Sequence, residues 1–128
     1  MAPEASAATC KILAALLPHD GREHFAMALF RDTELLVSGI IARGTGECVA
    51  PRLRTVTSYA LEWDADAMVV AHNHPSGALE PSEADNRSTE RLSNIAAALD
   101  IILQDHWIVG RGQARSVMSG EVLWISGR

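Results

Sequence analysis

The chain has 128 residues, 48% hydrophobic and 21% charged, and its eleven basic and sixteen acidic side chains leave a formal charge of −5. That length suits one domain with a core that needs no staples, and the proportions exclude a disordered chain. The acidic balance and scattered arginines weigh against direct nucleic-acid binding. Cys10 and Cys48 are too few for a disulfide framework, and neither a signal-peptide pattern nor a bilayer-length apolar run is present, so the expectation is a cytoplasmic protein that does not enter membranes.

Ala7 to Leu17 (AATCKILAALL) carries apolar residues at 12, 13, 16 and 17, a helical spacing that Pro18 ends. The apolar runs His24 to Phe30 and Leu35 to Ala42 flank Arg31-Asp32-Thr33-Glu34, which predicts a β-hairpin. After the loop Gly44 to Glu47, the apolar positions 53, 56, 60, 61 and 63 predict a helix from Pro51 to Trp63. Ala67 to Ala71 (AMVVA) reads as a central strand covered on both faces. Ser82 to Leu99 is helical by its apolar 84, 92, 95, 96 and 99, Ile101 to Val109 is strand, and Ser116 to Ile125 holds a short strand and a terminal element. The order α-β-β-α-β-α-β-β implies an α/β fold with one mixed sheet and helices packed on it. The whole of 1–128 is expected to be one domain, with an N-terminal helix (1–18) and a core (20–125).

The chemistry concentrates in residues 72–85, HNHPSGALEPSEAD. Alternation along a strand points His72 and His74 to one side, about 6.6 Å apart at about 3.3 Å per residue, so a small bend lets both imidazoles reach one ion. Pro75-Ser76-Gly77 turns the chain, and after seven intervening residues Ser82 opens a helix whose first turn carries Asp85. Two histidines, a carboxylate and an open fourth position are the plan of a catalytic zinc site, whereas a closed structural site takes four ligands, mostly Cys. The competing expectation is that Ser82 and Asp85 only form a capping box. The two roles are compatible, because Ser82 can cap the helix while Asp85 faces the ion.

His72-x-His74, seven residues, Ser82-x-x-Asp85 resembles the JAMM metalloprotease signature of JAB/MPN domains. HNHPSG, PSEAD and the later LQDHWIVG resemble its bacterial RadC branch, and the resemblance runs from about residue 20 to about residue 120. It implies a cytidine-deaminase-like fold, a curved mixed sheet flanked by helices, with His72, His74 and Asp85 as ligands of Zn2+. It also implies an upstream glutamate as general base. Arg22-Glu23-His24-Phe25 resembles the RadC segment at that place, so Glu23 is chosen over Glu34 in the hairpin, with Glu47 in reserve.

Two departures stand out. Only a short Ala-rich helix stands where RadC proteins commonly carry a helix-hairpin-helix region, so that region is not expected here, and Pro51-Arg52-Leu53 stands where the family tends to show Pro-Arg-Glu. Arg52 either docks a substrate carboxylate or covers its helix. Asp105 and His106 are expected in the core, with support of the metal ligands as the alternative, and His19 and His24 are read as surface or packing residues.

The function implied is a zinc-dependent hydrolase of peptide or isopeptide bonds. In that scheme Glu23 moves the proton and Ser82 donates to the oxyanion. Its partner would be a protein or peptide substrate, and a homo-oligomer is compatible with the sequence. The alternative is a non-catalytic or phosphodiester-acting module associated with DNA repair.

Overall fold

A computed structural model describes residues 3–44 and 53–125. Its elements are α1 (Pro3–Leu16), β1 (His24–Arg31), β2 (Glu34–Arg43), α2 (Leu53–Glu62), β3 (Ala67–Asn73), α3 (Glu83–Ala98), β4 (Ile102–Val109), β5 (Gln113–Ser116) and β6 (Val122–Trp124). The six strands form one mixed sheet in the order β2-β1-β3-β4-β5-β6. β3 and β4 run parallel and the other neighbours antiparallel, as expected when α3 carries the chain across between two parallel strands.

Strand alternation divides the core into two layers. Ala26, Ala28, Val69, Ala71 and Trp107 meet Cys10 and Leu13 of α1 and the Leu17 that follows it on one face. Phe25, Met27, Leu29, Met68 and Val70 meet Val56 and Ala60 of α2 and Leu92 and Ala96 of α3 on the other. Because β3 is buried on both faces, its sequence is a continuous apolar run instead of an alternating one.

The elements depart from the sequence expectation at their ends. α1 begins at Pro3 instead of Ala7, since a proline is tolerated in a first helical turn, where its missing N–H has no partner to lose. The hairpin turn is only Asp32-Thr33, both in the left-handed region (φ 50° and 68°), as a tight turn between twisted strands requires. Near the C-terminus the short strand expected between Ser116 and Ile125 is β6, and β5 precedes it without having been anticipated. Exposure hides β5 from its sequence, because only Ala114 and Ser116 turn fully inward between the polar Gln113 and Arg115. Pro51 and Arg52 of the expected second helix lie outside the described residues.

β4 contains an irregularity that matters below. Met68 pairs with Leu103 but Val69 pairs with Asp105, so Gln104 is an extra residue in the ladder. A side chain changes face with every residue, so regular alternation from Leu103 would send His106 toward α1. The bulge sends it to the α2/α3 face.

Among the described residues no helix is long and apolar enough to cross a membrane. Cys10 is fully buried in the α1 layer, where burial and the neighbouring Asp105 charge push its thiol up to about 12. A thiol reacts as thiolate, so in a Cys48→Ser chain a thiol-specific disulfide reagent at pH 8 should find no reactive group until urea unfolds the protein. Prompt reaction of the folded chain would show that α1 opens readily. The sign is that of a raised acid: Cys10 contributes stability below its unfolded value, and that contribution is lost as pH rises toward about 12.

Candidate metal centre

Three segments meet at one end of the sheet: the start of β1, the end of β3 and the first turn of α3. His72 continues the face of Met68 and Val70 and is buried. His74 follows on the same side, just past the strand. There the chain turns, with the Gly77 N–H donating to the His74 carbonyl at 2.9 Å and Gly77 at φ +85°. The loop passes so close to the end of β4 that a Cβ on Gly110 would lie 2.7 Å from the Gly77 carbonyl oxygen, so only glycine fits at 110. This return brings Ser82 and Asp85 back to the histidines. The capping box forms in full: Ser82 Oγ accepts from the Asp85 N–H at 3.0 Å, and the Ser82 N–H donates to Asp85 Oδ2 at 2.9 Å.

The cap does not use up the aspartate. His72 Nε2 and His74 Nε2 lie 3.1 Å apart, Asp85 Oδ1 lies 3.3 Å from His72 Nε2, and Asp85 Oδ2 lies 3.3 Å from His74 Nε2. A tetrahedron with bonds of about 2.0 to 2.1 Å has edges of about 3.3 Å, so the two nitrogens and the carboxylate, each oxygen of which meets one imidazole, are spaced as ligands of a zinc-sized ion would be. Among the described residues this is the group of His, Cys, Asp and Glu side chains that can hold a metal ion. Charge agrees with geometry. The Asp85 carboxylate raises the His74 imidazole against the opposing effect of burial. Burial pushes Asp85 itself up, but hydrogen bonds from His72, His74 and the Ser82 amide outweigh it and hold the carboxyl well below the usual range. Protons and a cation compete for the same three atoms.

Glu23 reaches this place through the sheet. β1 pairs antiparallel with β3, Phe25 opposite His72. Two more residues of the same register set Glu23 opposite His74 on the same face. Its carboxylate is buried, with Oε1 3.9 Å from His74 Nε2. Asn73 points to the other face and fixes the peptide groups on both sides of Glu23. Its Nδ2 donates to the Arg22 carbonyl at 2.8 Å, and its Oδ1 accepts from the His24 N–H at 2.7 Å.

The remaining candidates separate. Glu34 is exposed at the hairpin, while Glu47 and Arg52 lie outside the described residues. His24, read as a surface or packing residue, is buried and bonded to Asp20 at 2.9 Å; the hydrogen bond to His24 holds the Asp20 carboxyl below its ordinary value. Asp105 faces α1 and accepts from Ser6 Oγ at 3.0 Å and Ser116 Oγ at 2.6 Å, a structural role as expected. His106 is more than core filling. Its Nε2 lies 2.8 Å from His72 Nδ1, and its Nδ1 lies 2.6 Å from Thr89 Oγ1. Burial, and then the charge of His72, drive its imidazole down to about 3, so it is neutral. Asn73 and Thr89 were not singled out from the sequence. The available signal was position: Asn73 lies between the two histidines, and Thr89 lies one helical turn after Asp85.

The model of the RadC-like JAB domain matches residues 3–122. A UPF0758 protein of Chromohalobacter salexigens is 42% identical over 108 residues, covering 83% of this chain and 48% of that protein. One from Idiomarina loihiensis is 40% identical over 101 residues, covering 78% and 45%. One from Shewanella sp. strain ANA-3 is 44% identical over 89 residues, covering 69% and 40%. The chain spans less than half the length of these relatives, whose names carry no activity. With the domain model matched along nearly its whole length, the chain belongs to the RadC-like JAB domain family.

Proposed function

We propose that the chain is a zinc-dependent hydrolase that cleaves peptide or isopeptide bonds. The observation that carries this reading is the convergence of two Nε2 atoms and a carboxylate at tetrahedral-edge separations, with a buried glutamate 3.9 Å from one of them. A bound zinc would supply Lewis acidity, polarising a carbonyl and making a water acidic near pH 7.

The chain's own groups supply the rest. Glu23, held by the Asn73 clamp, takes a proton from the attacking water and returns it to the leaving nitrogen. Ser82 Oγ accepts the Asp85 N–H with a lone pair, which leaves its O–H able to donate to the oxyanion that develops on the carbonyl. Phe25 stacks along His72 with ring centroids 6.3 Å apart and meets His106 edge-on at 5.9 Å, closing the inner side of the site with apolar surface.

The test is to load the purified chain with zinc and offer it a peptide library, isopeptide-linked peptides and a nucleotide phosphodiester. Cleavage of amide bonds that a chelator abolishes is the expected result, and cleavage of the phosphodiester alone would overturn the proposal. Within that assay Ser82→Ala should keep its zinc, lose about 1 kcal/mol of helix-cap stability and turn over more slowly. An unchanged rate would confine Ser82 to the cap.

A further inference from the structure

We propose that Thr89 and His106 are positioning residues, a fixed hydrogen-bond relay that sets which nitrogen of His72 carries the proton and so aims the bare Nε2 at the metal position. The inference rests on the metal-site reading, and it follows from which atoms can donate. Thr89 Oγ1 lies 2.7 Å from the Asp85 carbonyl, which can only accept, so the one hydroxyl proton of Thr89 goes there. The contact between Thr89 Oγ1 and His106 Nδ1 must then be donated by the imidazole. His106 is wholly enclosed and neutral, so with its proton on Nδ1 its Nε2 is bare and accepts from His72 Nδ1–H. Nε2 is then the nitrogen of His72 left for the metal position.

The second histidine reaches the same state separately. His74 Nδ1 lies 3.0 Å from the Ala78 carbonyl, again an acceptor only, so Nδ1 carries a proton and Nε2 is the nitrogen turned to the metal position. Two Nε2 atoms and a carboxylate thus face one point at 3.1 to 3.3 Å, where a cation would displace whatever proton the metal-free cluster holds. The relay begins at the Asp85 peptide and ends at His72, so it also ties the helix that presents one ligand to the strand that presents another. Its existence depends on the Gln104 bulge, which brings His106 to this face.

The test uses the full chain with nitrogen-15-labelled histidines, read by long-range nitrogen–proton NMR at neutral pH, with zinc absent and present. The expected spectrum shows His106 as the neutral Nδ1–H form in both states. Zinc affinity should fall about 10- to 100-fold in Thr89→Val, and Thr89→Ser, which restores the hydroxyl, should recover most of it. A filler role for Thr89 would predict the opposite ranking, because valine matches threonine in shape better than serine does. His106 found with its proton on Nε2, or Thr89→Val binding zinc as tightly as the unmodified chain, overturns the relay. Failure of the unmodified chain to bind zinc would instead sink the metal reading, and the zinc-free spectrum would still decide the proton's place on His106.

Discussion

Glu23→Gln should retain full zinc occupancy and lose about two to four decades of turnover, the loss typical of removing a proton-transfer group. Glutamine fills the same space but cannot accept a proton, so the change isolates chemistry from packing. Packing matters here because Glu23 is buried against the end of β3 and its backbone is clamped on both sides by Asn73. Thermal unfolding should therefore shift little, while the rate collapses across the whole pH range of activity. Retained turnover in this variant would remove Glu23 from the mechanism and bring Glu47 forward.

His72→Ala and His74→Ala should each abolish stoichiometric zinc binding, read by metal analysis after gel filtration in the presence of zinc. Both should still fold, since an open site adds less to folding than a closed structural one. The two variants differ in the zinc-free state. His72 is more deeply buried than His74 and is the acceptor's only described partner at His106 Nε2. Its loss leaves that nitrogen unsatisfied, which costs about 1 to 3 kcal/mol, whereas His74 gives up a contact to a loop carbonyl. Urea denaturation of the zinc-free variants should rank His72→Ala as the less stable. A reversed ranking would mean that the loop, not the relay, stabilises this end of the sheet.

Much of the site was legible because it is local. Strand alternation predicts that His72 and His74 share a side, and a capping pattern predicts where α3 begins, so three of the clustered side chains come from fourteen consecutive residues. Glu23 was reached through the family resemblance, since only the β1–β3 register places it opposite His74. His106 is in the core as expected, but its contact with His72, given only as the alternative, was not legible for a definite reason. An extra residue in a ladder leaves no mark in a single strand's sequence, so the bulge that redirects His106 could not be inferred from Ile101 to Val109 alone. β5 escaped because so short a strand, with polar residues facing outward, lacks the apolar run by which strands are found.

The proposed metal ligands and the proposed base arrive by unrelated routes, the former within one stretch of chain and the latter from a strand paired to it. Selection can therefore act on them separately. One codon change at Glu23 would leave a lineage with an intact, folded, cation-binding surface and no hydrolysis, free to be kept for recognition alone. The reverse path is harder, because losing a histidine removes the cation on which a surviving glutamate depends.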